Sequence, residues 1–326
     1  MLLVNFKEKK ILEYLSLTSQ SPLTAVRYRL DGKENLYIYY ILVVTIQRFI
    51  NTPSFDLKMS LEITITSERK GSNPGGKCSI PIYGLDTSSY IKYCNLSHLH
   101  DSHLTAQHQP FYEAITLALC QRLGLVVPSY YLIMNTTRSV KFNYTHNIPK
   151  LSEDKQCYFA SELIALPEQE DQEKLHEALT QEKIYRDLLL ISDVSGKKQN
   201  FAYFENPSPY VLYIDVGCSF VDSVNGILSQ RNGKKINLSK QELKNAHKLA
   251  ERYTVYTNHK TDVLSIHHLI DLIPYLEIPT LNPAQTIFVE NILSAQEIKE
   301  IQQILLSNIP SFIKKHKESS NIVDTR

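Results

Sequence analysis

Apolar and polar residues alternate along Leu61–Glu68 (LEITITSE), the period-two pattern of a half-buried strand. A turn-rich stretch, Lys70–Lys77 (KGSNPGGK), separates it from a second strand-like run at Cys78–Tyr83, and a third lies at Tyr90–Cys94. Three such runs around a Gly-containing turn predict a β-meander. The period then changes to that of a helix over Phe111–Leu125, with Gly124 as its stop. Val126–Met134 and Gln156–Leu166 read as strands, and Pro167–Ile191 as a helix whose acidic start suits the helix dipole. Phe201–Phe204 and Tyr210–Gly217 form two further strand-like pieces. From about Asn237 the signal is helical to the end, with capping boxes at Ser239–Glu242 and Ser294–Glu297. Pro274, Pro279, Pro283 and Pro310 punctuate that region, and the tail from Lys314 reads as polar and frayed. A β-rich first half and a helical second half define an α+β, bilobal expectation.

Before Leu61 lie two amphipathic or buried segments, around Lys7–Leu17 and Glu34–Phe49, which carry no readable motif. The most apolar run, Tyr37–Ile46, is far shorter than the roughly 20 residues a membrane span needs. MLLVNFKEKK does not have the form of a secretory signal.

Composition narrows the function classes. With 35 basic and 34 acidic side chains among 326 residues, the net charge of +1 gives no footing for a nucleic-acid binder that works by bulk charge. The cysteines Cys78, Cys94, Cys120, Cys157 and Cys218 are scattered, with no CxxC pair, which points away from a thiolate zinc site and towards a reducing, cytoplasmic compartment. Glycine is scarce, 10 in all, so the three within residues 71–76 stand out.

That Gly-containing turn offers backbone N–H groups of the kind that meet phosphate oxygens, and Gly75 and Gly76 permit close approach. Lys92 follows in a strand with Ile91 and Tyr93 on the opposite face, and Glu113 lies near the start of the next helix. Much later Asn200 begins a strand, and Asp215-Val216-Gly217 ends the one after it. Phosphoryl transfer calls for such an ordered set: a Lys on the phosphates, a Glu to hold it, and an Asn and an Asp on Mg²⁺. Each residue also has a plainer reading. Lys92 alone reads as a solvated strand residue, Glu113 as a favourable charge in a first helical turn, and Asn200 as a turn residue. Asp215, between apolar neighbours and a Gly, is harder to explain blandly, because a buried unpaired carboxylate is costly.

In this order the chain resembles the HipA-like serine/threonine kinases, a family distantly similar to the phosphoinositide kinases. Gly71–Lys77 resembles that family's Gly-rich loop and following Lys, and Tyr90-Ile91-Lys92 the strand bearing the ATP-contacting Lys. Glu113 followed by Leu123-Gly124-Leu125-Val126-Val127-Pro128 is the most specific local match. Phe159–Ile164, including Glu162, resembles the hinge strand whose backbone meets adenine, and Asn200 and Asp215 resemble the metal-binding pair. The resemblance implies a bilobal kinase-like fold, with residues 1–60 as an extension packed on an N-lobe of 61–160 and a mostly helical C-lobe of 161–326. It implies ATP and Mg²⁺ as cofactors and transfer to a protein Ser/Thr hydroxyl. It also implies autophosphorylation, with Thr66, Ser67 and Ser72 as candidates. An antitoxin or regulatory protein partner is implied as well, in the protein's own cytosol or, for a translocated effector, another cell's.

The catalytic-loop position where the family has its Asp holds Ser195, and the nearest carboxylate is Asp193, two residues earlier. Pro74 also removes one N–H donor from the Gly-rich loop. General base catalysis contributes only about 10²–10⁴-fold, so three readings stand together. They are a protein kinase using Asp193 or Ser195 near the acceptor, a pseudokinase binding a nucleotide or partner, and a phosphoinositide kinase. The cluster His98, His100, Asp101, His103 and His108 raises a metal hypothesis, but its spacing fits neither a zincin helix nor a finger. A polar connector into the Glu113 helix is the plainer reading.

Overall fold

The computed structural model describes residues 60–68, 74–82, 84–94, 103–135, 139–167, 171–191, 200–206, 208–216, 221–222, 227–228, 238–257, 263–281 and 284–323. They belong to one compact unit that begins at Ser60. The architecture is mixed α/β: a large mixed sheet with several helices.

Strands β1 (Leu61–Ile65), β2 (Gly75–Ile82) and β3 (Leu85–Lys92) form the expected meander, each antiparallel to the next. Helix α1 (Gln109–Arg122) follows, then β4 (Tyr130–Met134), β5 (Val140–Tyr144) and β6 (Cys157–Glu162). Two helices, α2 (Gln172–Gln181) and α3 (Lys183–Leu188), precede the hairpin of β7 (Phe201–Phe204) and β8 (Tyr210–Tyr213). A short pair, β9 (Val221–Asp222) and β10 (Ile227–Leu228), leads to helix α4 (Lys240–Arg252). Then come β11 (Thr254–Tyr256), β12 (Val263–Ser265), helix α5 (Ile266–Asp271), β13 (Glu277–Leu281), β14 (Ala284–Phe288) and helix α6 (Ala295–Val323).

The main sheet has the order β14-β13-β4-β6-β3-β2-β1-β5. It corrects three sequence expectations. The region after Asn237 is not all helix: β13 and β14 pair antiparallel and join the sheet through β4. Their run EIPTL…AQTIF is rich in β-branched residues but broken by Pro279 and Pro283, which masks its period in sequence. Pro310 does not end a helix but lies inside α6, which also absorbs the polar tail as far as Val323. Gly75 and Gly76 are not in a turn: they are the first paired residues of β2, opposite Lys92 and Ile91.

Core residues divide by strand parity. Along β6, Cys157 and Phe159 pack on the α1 side of the sheet, while Tyr158 and Ala160 pack on the other with Ile63, Ile65, Ile80 and Ile91. Helix α1 is buried from Gln109 to Cys120 on every face, as an apolar helix between a sheet and other helices must be. It ends in a Schellman motif: Gly124 has φ 78°, the Leu125 N–H donates to Cys120 O and the Gly124 N–H to Gln121 O. Both capping boxes form. Ser239 and Glu242 exchange hydrogen bonds at α4, as do Ser294 and Glu297 at α6. Among the described residues, no helix is long and apolar enough to cross a membrane. Cys78, Cys94, Cys120 and Cys157 are buried thiols.

Candidate active site

Strand alternation sends Ile91 and Tyr93 into the core behind the sheet and Lys92 towards α1. There Lys92 Nζ lies 2.7 Å from Glu113 Oε1 and 3.1 Å from Asp215 Oδ1. The Phe159 ring centroid stands 5.4 Å from the same ammonium. Burial disfavours the charge on Lys92, but Asp215 and Glu113 outweigh it and hold its pKa above the ordinary lysine range. Glu113, 3% exposed, is pushed up to about 7: burial raises it, Lys92 lowers it and Asp215 raises it again. Asp215 is the solvent-facing member, its side chain 47% exposed. Among the described residues, Lys92 is therefore shared by two carboxylates.

Local structure explains how each member arrives. Gly75 pairs directly with Lys92, and a Cβ there would stand 2.2 Å from Ile91 O and 3.0 Å from Lys92 Cβ. At Gly76 a Cβ would come within 2.4 Å of Ser67 O. The two glycines thus permit close approach, as the sequence suggests, but of the chain's own backbone. Lys77 pairs with Tyr90 and faces the same side of the sheet as Lys92. The β7–β8 hairpin brings Asn200 beside Asp215: the carbonyl of Asn200 accepts N–H groups from Ile214 (2.8 Å) and Asp215 (3.3 Å). The Leu123–Pro128 motif joins the two halves of the cluster. After the Gly124 turn, the carbonyl of Val126 accepts the Tyr213 N–H at 2.8 Å, which ties the strand before Asp215 to the helix bearing Glu113.

Glu162 pairs with Ser89 and Phe159 with Lys92, so Glu162 lies three steps along the same ladder. That is about 10 Å at roughly 3.3 Å per residue. The Glu162 N–H donates to Ser129 O and the Leu163 N–H to Ser88 O, which fixes the exit of β6 towards Ile164.

Asp193 and Ser195 lie outside the described residues, as do Gly71, Ser72, His98, His100 and Asp101. The segment before Asp193 is held firmly. Helix α3 ends in a second Schellman motif, with Leu190 (φ 59°) where glycine is usual and the Ile191 N–H on Arg186 O. A β-unbranched but bulky residue in that region carries strain of about 1–3 kcal/mol. Asn308 of α6 donates to Asp187 O at 2.6 Å, and His316 Nε2 lies 3.0 Å from Asp187 Oδ2.

His108 is engaged by Glu297, 2.5 Å from Nδ1 to Oε1, and His103 is exposed. Among the described residues, no group of three or more His, Cys, Asp or Glu side chains is placed to hold a metal ion. The half-exposed Asp215 carboxylate is a hard oxygen donor of the kind Mg²⁺ takes, one or two carboxylates with waters and phosphates completing the shell. Asn200, by contrast, meets Asp215 through its backbone carbonyl.

Sequence reasoning missed Glu297. Its capping box was legible, but nothing in the pattern says that the second carboxylate oxygen reaches α1. Compared with known proteins, the chain matches no family model and no curated sequence.

Proposed function

We propose that the chain is an ATP- and Mg²⁺-dependent phosphotransferase of the HipA-like kind, bilobal in plan, that acts on a Ser/Thr hydroxyl of a protein. The observation that carries this reading is the meeting of Lys92, Glu113 and Asp215, the first and last 123 positions apart. A lysine paired with a buried glutamate, within reach of a half-exposed aspartate that neighbours an asparagine, is the arrangement phosphoryl transfer uses.

In this reading Lys92 binds the α/β-phosphates, and Glu113 keeps its ammonium aimed at them. Asn200 and Asp215 hold Mg²⁺, which when bound neutralises charge on the phosphates. The exit of β6, Glu162 to Ile164, supplies backbone groups for adenine about 10 Å away, a nucleoside's reach. Asp193 or Ser195 serves the acceptor hydroxyl, a role that rests on the sequence resemblance. Gly75 acts indirectly, by letting β2 approach β3 closely enough to seat Lys92, and Gly76 by letting β2 approach the chain at the end of β1.

One observation favours a second reading. Ser195 stands where the resemblance expects the catalytic Asp, so a pseudokinase that binds nucleotide without transferring phosphate is the alternative. Thermal unfolding with and without Mg-ATP tests the shared premise, because a ligand that binds only the folded state raises the midpoint. An unchanged midpoint would defeat both readings. Incubation with γ-labelled ATP and protein acceptors then separates them. Label transfer that is lost in Lys92→Ala supports the kinase, and binding without transfer supports the pseudokinase. Label on a phosphoinositide instead would move the substrate class to lipid.

A further inference from the structure

Helix α1, which carries Glu113, lacks a side-chain cap of its own: His108 occupies the cap position and makes no capping hydrogen bond. A residue from the far end of the chain stands there instead. Glu297, in the first turn of α6, uses its two oxygens for different helices. Oε2 accepts the N–H (3.1 Å) and the hydroxyl (2.8 Å) of Ser294, which completes the cap of α6. Oε1 accepts the Tyr112 hydroxyl at 3.0 Å and meets His108 Nδ1 at 2.5 Å. The Tyr112 oxygen in turn accepts the Thr105 N–H at 2.9 Å, and the His103 N–H donates to Glu300 Oε2 at 2.8 Å.

A capping box needs only one of those carboxylate oxygens. The other grips the residue immediately before Glu113 and the residue at the entry of α1. A carboxylate at a helix N-terminus also complements its dipole. Glu113 must reach Lys92 at hydrogen-bond length, and a slip of the first turn of α1 would move it directly. The neighbouring crevice is lined by Lys92, Gln109, Pro110 and Glu113, so the start of α1 is also the wall of the site.

We infer that Glu297 is a positioning residue for the Lys92–Glu113 pair: through Tyr112 and His108 it sets the seat of α1, and with it the hold on Lys92. The geometric part stands without the phosphotransferase reading; only its consequence for catalysis rests on that reading.

The test uses the full chain and reads how fast an amine-acylating reagent labels Lys92, scored by mass spectrometry, with the unfolding midpoint measured in parallel. Glu297→Gln keeps an amide oxygen for Ser294 but withdraws the charge from His108. Labelling of Lys92 is expected to rise roughly fivefold, as a charge-assisted contact is lost. Ser294→Ala weakens the cap of α6 without touching the α1 contacts, and is expected to lower the midpoint with labelling unchanged. His108→Gln cuts the same link from the α1 side and should reproduce the Glu297→Gln rise, which covers the case of a poorly folding Glu297 variant. Unchanged labelling in the Glu297 and His108 variants, or an equal rise in Ser294→Ala, overturns the inference in favour of a cap alone. Labelling is independent of transfer, so an inactive wild-type protein would refute the kinase reading and leave this result intact. If transfer is present, Glu297→Gln should lower kcat more than it raises the KM for an acceptor protein.

Discussion

Glu113 and Glu297 are both almost wholly buried, 3% and 5% exposed, and stand near the starts of two helices that meet. Their acidities nevertheless diverge: Glu113 is pushed up to about 7 and Glu297 is drawn down to about 2. Burial raises both. The difference lies in the donors. Glu297 receives Tyr112, His108 and two groups of Ser294, whereas Glu113 has the ammonium of Lys92, shared with Asp215. A carboxylate whose lone pairs are filled is stable as an anion inside a protein; one facing a single shared cation is only conditionally so. The first arrangement builds a joint, and the second leaves a site that responds to added charge.

Removing the shared cation should break the comparison most severely. Lys92→Ala leaves Glu113 buried with Asp215 nearby, and loss of one partner of a buried pair costs about 3–5 kcal/mol. Urea denaturation at pH 7.5 measures it. The double variant Lys92→Ala/Glu113→Gln should recover much of the loss, since the stranded charge is then gone.

Changing pH sharpens the comparison with opposite signs. The Glu113 pKa is raised from 4.5 to about 7, so its contribution is fully present below pH 4.5 and fades as pH climbs to about 7. That limb amounts to at most about 3 kcal/mol. Glu297 is depressed from 4.5 to about 2, so its contribution is present above pH 4.5 and is lost as pH falls towards 2. Denaturation curves at pH 3, 5 and 7.5 should therefore show greatest stability in the middle. Glu113→Gln should flatten the neutral limb alone. A neutral limb that persists in that variant would assign it to another group.

The smallest effect is expected from Tyr112→Phe, which removes one donor of several from Glu297. A loss of about 0.5–1.5 kcal/mol is expected, with the acid limb shifted slightly upward in pH. A much larger loss would mean that the hydroxyl's second bond, from the Thr105 N–H, carries the anchoring.

The β1–β2–β3 meander, α1 with its Gly124 stop, β6, the β7–β8 hairpin and both capping boxes were legible along the chain, because each rests on a local period or a cap. Lys92, Glu113, Asn200 and Asp215 were legible as an ordered set. Strand β5 was not read: VKFNY does alternate apolar and polar residues, but the run is only five residues long and it pairs parallel with β1, across a long stretch of chain. The β13–β14 hairpin was hidden by its prolines and by a partner, β4, some 150 residues earlier in the order of the chain. The His98–His108 run drew attention for its imidazoles, yet His108 proves to be the partner of a carboxylate from α6.

Periodicity, caps and turns act over a few residues, and those the sequence determined by itself. It also determined which chemical groups are present, and that a lysine in a strand precedes a glutamate in a helix. The tertiary structure alone decided that Lys92 is shared between Glu113 and Asp215, that glycines at 75 and 76 make room for backbone, and that Glu297 serves two helices. The physical reason is that charge and hydrogen-bond energy depend on distance in space and on burial, and residues far apart in sequence acquire both only when the sheet and α6 close around them.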